Sequence, residues 1–184
     1  MEIQTEFTPN PSSLKFLPGK IVMEKGTADF RNAEAAKRSP LALNLFKIDG
    51  VEGVFFGSDF ISITKSDNHE WQMLKSSISE TIIEYFKSGA AIMLQEEVDK
   101  TGTSNTEDNE AVIKIKEIID TKVRPAVAKD GGDITFQSFD NGIVYLQMKG
   151  SCSGCPSSTA TLKAGIENML KHYIPSVREV RPVT

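Results

Sequence analysis

Two cysteines, Cys152 and Cys155, stand near the end of a 184-residue chain that contains no other cysteine. Thiolates at this spacing ligate zinc or iron–sulfur clusters, or form a redox-active disulfide. Gly150 and Gly154 allow the backbone to fold tightly around a bound group, and Pro156 suits the first turn of a following helix. The free N–H groups at the start of that helix favour thiolates. The pattern therefore predicts a metal-binding or redox loop between a strand and a helix.

The two cysteines provide half of a usual ligand set, because zinc sites and cubane clusters usually have four protein ligands. His172 would lie about 24 Å away, at the far end of the predicted helix, at a rise of about 1.5 Å per residue. His69 falls in a turn of the other half of the chain, where nothing recommends it as a ligand. The simplest completion is the same pair from a second copy, since symmetric dimers are the commonest oligomers.

Three interpretations of the cysteine pair stay open from the residues alone: a metal or cluster site, a dithiol redox centre, and structural cysteines. A thioredoxin-like centre usually follows a buried parallel strand. The strand predicted before Cys152 belongs to an antiparallel hairpin, which disfavours the redox interpretation. A site split between two chains would suit delivery, because separating the chains exposes the metal to a recipient's thiols.

The elements around this loop predict a three-stranded sheet packed with two helices. They are, in order, a helix with an apolar stripe over residues 112–123, a hairpin of residues 134–139 and 143–148, a helix after Pro156, and a strand over residues 177–181. Pro125 should kink the first helix or split off its last turn. Asn141-Gly142 should form the hairpin turn, because both residues tolerate positive φ.

The first half of the chain predicts a small sheet with two helices. Its candidate elements are strands at residues 13–17 and 21–24, a short helix after Ser39-Pro40, a hairpin of residues 53–57 and 60–64, and a long helix over residues 71–88. The chain is therefore expected to be an α+β protein of two small domains.

The two halves are separated by an acidic stretch. Residues 89–109 contain five acidic residues and one basic residue, and residues 99–109 contain no large apolar residue. Such a segment cannot bury enough surface to offset the entropy of ordering it. We therefore expect a first domain at 1–88, a flexible linker at 89–109 and a second domain at 110–184.

Composition excludes several classes of function. The net charge is −4 and no basic stripe is present, so we expect no nucleic-acid partner. No apolar run approaches the roughly 20 residues of a membrane span. The start of the sequence has neither a secretory signal nor an Arg-rich transit peptide, which predicts a bacterial cytoplasmic protein or a processed mitochondrial matrix protein. No catalytic triad, phosphate-binding loop or pair of catalytic carboxylates stands out, which predicts a non-catalytic function.

Two motifs carry a resemblance to a known family. Residues 124–134 (RPAVAKDGGDI) and 150–158 (GSCSGCPSS) together resemble the C-terminal NifU-like domain, and the resemblance spans residues 110–182. Residues 1–88, with FLPG at 16–19 and GVEGVFF at 50–56, resemble the N-terminal domain of Nfu scaffold proteins. The order of the two domains is similar to that in mitochondrial and alphaproteobacterial Nfu proteins.

The resemblance implies a scaffold or carrier rather than an enzyme. It implies a [4Fe–4S] cluster bridged between two subunits by Cys152 and Cys155 of each, with a [2Fe–2S] cluster at the same thiolates as the alternative. Client apoproteins and upstream assembly factors are the implied partners. Asp130, Gly131 and Gly132 belong to the shared motif, and we interpret them as a turn.

Overall fold

The computed structural model describes residues 2–94, 110–153 and 156–183, without the side chains of residues 156–158. Within these residues the chain forms a first unit (2–94) and a second unit (110–183), each a small sheet with helices, so the predicted α+β class is confirmed. Most of the predicted linker, residues 95–109, lies outside the described residues. No helix of the described segments combines the length and the apolar character needed to cross a bilayer.

The first unit contains a five-stranded antiparallel sheet in the order β1-β2-β5-β4-β3. Its strands are β1 (Gln4–Phe7), β2 (Ser13–Leu17), β3 (Ala28–Phe30), β4 (Val51–Phe56) and β5 (Ile61–Lys65). The strand predicted at residues 21–24 is wrong. The N–H groups of Val22 and Met23 both donate to the Ser58 carbonyl oxygen, at 2.8 and 3.2 Å, so this segment crosses as a loop.

Two helices cover one face of this sheet, α1 (Pro40–Phe46) and α2 (Trp71–Ser88). Ser39 begins α1 as the sequence predicts, because its hydroxyl accepts a hydrogen bond from the Ala42 N–H. Alternate residues of the central strands, such as Ile61 and Ile63 of β5, enter the core with the helices. The residues between them point to the opposite face, which we call the outer face.

The second unit contains a three-stranded sheet in the order β6-β7-β8 and two helical segments. Its elements are α3 (Glu110–Ile118), a π-helical turn (Ile119–Val123), α4 (Arg124–Lys129), β6 (Gly132–Asp140), β7 (Ile143–Gly150), α5 (Pro156–Tyr173) and β8 (Glu179–Val183). As predicted at Pro125, the last part of the first helix is set apart: a π turn over Ile119–Val123 precedes α4, and the backbone stays helical throughout. Proline has no N–H for the helical hydrogen bonds, which favours such an irregularity nearby.

The hairpin of β6 and β7 turns at Asn141 and Gly142, which both have positive φ, as the sequence predicts. After α5, β8 returns parallel to β7. Pro182 lies inside β8 rather than ending it. This is tolerated because β8 is an edge strand and uses only one side for pairing.

The two ends of the hairpin meet where the cysteine loop begins. Gly132, the first residue of β6, pairs with Gly150, the last residue of β7. A Cβ atom built on Gly132 would lie 2.5 Å from the Cys152 sulfur and 2.8 Å from the Lys149 carbonyl oxygen. The missing side chain of Gly132 therefore provides the space in which the Cys152 thiol lies.

Replacing Gly132 by alanine should destabilise the protein by about 1–3 kcal/mol, the usual cost of adding a methyl group to a packed interior. The φ angle of Gly132 lies outside the left-handed region, so the cost is steric. Gly165→Ala is the matched control, because Gly165 lies within α5 with open space at its Cβ position. It should stabilise by about 0.5–1 kcal/mol. Urea denaturation followed by circular dichroism measures both. Equal stability of Gly132→Ala and the parent would contradict the close packing of Cys152 on Gly132.

Candidate functional site

Cys152 lies in the loop between β7 and α5, where the sequence places it. Its side chain is 6% exposed and belongs to the apolar core of the second unit. Gly154 and Cys155 lie outside the described residues, so the joint action of Cys152 and Cys155 stays a prediction. The burial of Cys152 was not expected from the sequence, because a cluster ligand should face a partner.

The turn before β6 supports the cysteine loop through its backbone. The Ser151 N–H donates to the Gly131 carbonyl oxygen at 3.3 Å, and the Ser151 hydroxyl donates to the Asp130 carbonyl oxygen. On the other side, the Thr159 hydroxyl donates to the Cys152 carbonyl oxygen at 3.4 Å. Asp130 and Gly131, which we interpreted from sequence as a turn, therefore also hold the start of the cysteine loop in place through their carbonyl groups.

A buried carboxylate lies next to this turn. Asp133 accepts two hydrogen bonds from Arg124, Nε to Oδ1 at 2.8 Å and Nη2 to Oδ2 at 3.0 Å, and its Oδ1 also accepts from the Ile134 N–H at 2.9 Å. The hydrogen bonds from Arg124 to the Asp133 carboxylate raise the pKa of the Arg124 guanidinium. This bidentate pair fixes the start of α4 against the start of β6. Sequence reasoning missed it, although both residues belong to the motif that carries the family resemblance.

A mostly apolar pocket of about 560 Å³ opens beside the cysteine, between the helical segment 119–129 and α5. Cys152 lies on its wall, together with Val123, Val127, Leu162, Ile166, Met169 and, from the first unit, Pro9. An apolar surround limits the access of water to a metal site. A mostly apolar, partly open cavity thus lies on one side of the loop.

The two histidines are engaged away from the loop. His69 Nδ1 is 2.7 Å from the Ser66 hydroxyl, and His69 Nε2 is 3.4 Å from Asp49, all within the first unit. His172 lies near the end of α5 and contacts the Tyr173 ring edge-on at 5.1 Å between ring centroids. Among the described residues, no group of three or more His, Cys, Asp or Glu side chains is placed to hold a metal ion.

Two family models match the chain. One is described as "Scaffold protein Nfu/NifU N terminal" and matches residues 3–89. The other is described as "NifU-like domain" and matches residues 115–181. The first match covers the five-stranded unit, and the second covers the hairpin, the cysteine loop and α5.

Curated relatives match over nearly the whole chain. It is 52% identical to "NifU-like protein 4, mitochondrial" of Arabidopsis thaliana over 98% of its length and covers 65% of that protein. It is 51% identical to "NFU1 iron-sulfur cluster scaffold homolog, mitochondrial" of Homo sapiens over its full length and covers 72% of that protein. It is also 51% identical over its full length to the protein of the same name from Drosophila willistoni, of which it covers 64%. It thus spans roughly two thirds of the length of these relatives. The chain belongs to the Nfu family of NifU-like iron–sulfur cluster scaffold proteins, which are not enzymes.

Proposed function

We propose that the chain carries a [4Fe–4S] cluster bridged between two copies and transfers it to client apoproteins. The observation that supports this most directly is the position of Cys152, in a glycine-lined loop between a strand and a helix N-terminus, in a family of cluster scaffolds. We further propose that residues 1–88 and 110–184 act as separate domains and residues 89–109 as their linker, whose first described part stays bound to the first unit: Ile92 accepts from Ser39, and Leu94 donates to Arg38.

The proposed ligands are Cys152 and Cys155 of each copy. Four thiolates are the usual protein ligand set of a [4Fe–4S] cluster, and they serve a [2Fe–2S] cluster equally well. The chain has no third cysteine, so a second copy is the simplest source of the remaining two thiolates. Gly132 positions one of these ligands, because its missing side chain leaves the space in which the Cys152 sulfur lies.

Division of the ligands between two chains suits transfer. A client thiolate can replace one cysteine sulfur at a time, so each iron keeps its coordination number and the exchange needs no change of oxidation state. The displaced cysteine takes up a proton when its thiolate leaves the metal. Upstream assembly factors would load the same site by the reverse exchange.

For the compartment we propose the mitochondrial matrix, because the relatives above are named as mitochondrial proteins. The cytoplasm of a bacterium is the alternative. The composition supports partners other than nucleic acid, since the net charge is −4.

Anaerobic reconstitution with iron and sulfide should yield about four irons and four sulfides per dimer, as a Cys₄-ligated cubane requires. Cys152→Ala and Cys155→Ala should each abolish uptake, while Ser153→Ala in the same loop should retain it. Native mass spectrometry with iron and sulfide analysis measures the stoichiometry. A result of about two irons per dimer would indicate a [2Fe–2S] cluster instead of the cubane. An iron-free monomer that cycles between dithiol and disulfide would contradict the scaffold function.

Removal of the cluster should leave both units folded. The second unit closes its own apolar core with residues such as Ile115, Leu146 and Leu170, so it does not depend on a metal for burial. We therefore expect the apo protein, after chelation of iron, to give the same Tm as apo Cys155→Ser. Unfolding of the second unit on chelation would instead indicate a structural metal.

A further inference from the structure

The outer face of the first sheet is covered by the second unit. Lys15 of β2, Ser62 of β5 and Phe55 of β4 are cross-strand neighbours in one row of this face. Phe55 is 1% exposed, yet it does not belong to the apolar core that the first sheet forms with α1 and α2. Its ring packs against Phe60, with the ring centroids 6.0 Å apart. An aromatic residue on this face is buried because the second unit lies over it.

The contact reaches the turn and the strand end that flank Cys152. The Ser62 hydroxyl donates to the Gly131 carbonyl oxygen at 2.7 Å. A Cβ on Gly131 would lie 2.6 Å from the Ser62 hydroxyl oxygen, and a Cβ on Gly150 would lie 2.9 Å from Cγ of Phe55. Both glycines have positive φ, so they are required by the backbone and by this close approach.

A second group of contacts surrounds the cysteine loop itself. The Asn10 side-chain amide donates to the carbonyl oxygen of Ser151, the residue before Cys152, at 3.3 Å. Asn10 is held in place because its Oδ1 accepts from the Ser12 N–H at 3.0 Å. The Thr27 hydroxyl donates to Asp133 at 2.8 Å.

We infer that the first unit is a clamp that holds the cysteine loop closed, and that the two units must separate before Cys152 can join a second chain. The interaction surface is the outer face of the first sheet. It is covered by residues 131–133 and 150–151 of the same chain. The consequence for cluster binding rests on the proposed function; the clamp itself does not.

Closed and bridged arrangements exclude each other for a steric reason. A shared cluster requires the sulfur of Cys152 to reach iron that is also bound by another copy. This sulfur is packed on Gly132 of its own unit, and the first unit holds the residue before it, because the Asn10 amide donates to the buried Ser151. The first unit occupies the surface over Gly131 and Gly150, the residues that flank the start of the cysteine loop, and so limits the space there for a second chain.

The contacts between the two units are weak enough for the units to separate. Among the described residues the clamp consists of hydrogen bonds from Ser62, Asn10 and Thr27, a long one from Arg31 Nη2 to the Met148 carbonyl oxygen at 3.5 Å, and one aromatic contact. Each such bond contributes modestly in net terms. Interfaces between domains of one chain commonly permit relative motion. Opening of a few per cent of molecules is enough for a thiol reagent to report it.

The first test measures alkylation of Cys152 by iodoacetamide in a reduced Cys155→Ser background, which has one thiol. Phe55→Ala should raise the alkylation rate at least about five-fold, the effect expected when one modest contact is lost from a closing equilibrium. Phe7→Ala is the matched control, since Phe7 is 85% exposed on β1. It should leave the rate unchanged.

The second test uses a substitution that changes one hydrogen bond. Asn10→Asp keeps the acceptor for the Ser12 N–H and loses the donor to Ser151. Asn32→Asp is its control, because Asn32 also accepts a backbone N–H, that of Ala35 at 2.8 Å, on an exposed turn. The added negative charge disfavours a thiolate nearby, so a faster rate in Asn10→Asp cannot come from charge.

Circular dichroism of every variant checks that both units stay folded. A higher alkylation rate in Phe55→Ala than in Phe7→Ala supports the clamp. A higher rate in Asn10→Asp than in Asn32→Asp shows that the hydrogen bond from Asn10 to Ser151 is part of it. Equal rates in Phe55→Ala, Asn10→Asp and their controls would overturn it. These rates do not depend on iron. A clamp detected by alkylation in a chain that takes up no cluster would leave the clamp standing and refute the proposed function.

Discussion

The close approach of backbone at Gly131, Gly132 and Gly150 is the constraint on which the rest of the structure depends. Three peptide segments meet there with no side chain between them: the turn before β6, the end of β7 and the start of the cysteine loop. Gly132 leaves room for the Cys152 sulfur, while the other two glycines admit side chains of the first unit. A side chain at any of these positions would disturb the hairpin, the thiol and the contact between the units together.

The first sheet has two buried faces of different chemistry. The face toward α1 and α2 is apolar and holds the unit together. The outer face mixes aromatic and polar groups: Lys15 is placed over the Phe60 ring, 4.7 Å from its centroid, and also pairs with Glu6 at 3.2 Å. Such a surface can be exposed to water or covered by the second unit, because the Lys15 ammonium keeps Glu6 as a partner in both states. The first face therefore serves folding, and the second suits reversible contact.

The sequence predicted what depends on local pattern. The Asn141-Gly142 turn, the irregularity of the helix next to Pro125 and the long helix α2 follow from residue type and spacing, and all three are present. The edge strand β1 was missed because three of its four residues are polar and most are exposed, and the three-residue β3 is too short to show a period. The burial of Cys152 and the contact of Ser62 with Gly131 could not be predicted, because they join residues far apart in sequence whose spacing carries no local signal.

The order of synthesis gives the outer face a further consequence. The first unit precedes residues 131–151 in the chain, and domains generally fold as units, the N-terminal one first. Until the second unit has folded, Phe55 lies on the uncovered side of a finished sheet, where an aromatic patch attracts other chains. In the interval between the folding of the two units, the first unit therefore exposes a face that the finished protein buries, and aggregation through this face competes with completion of the fold.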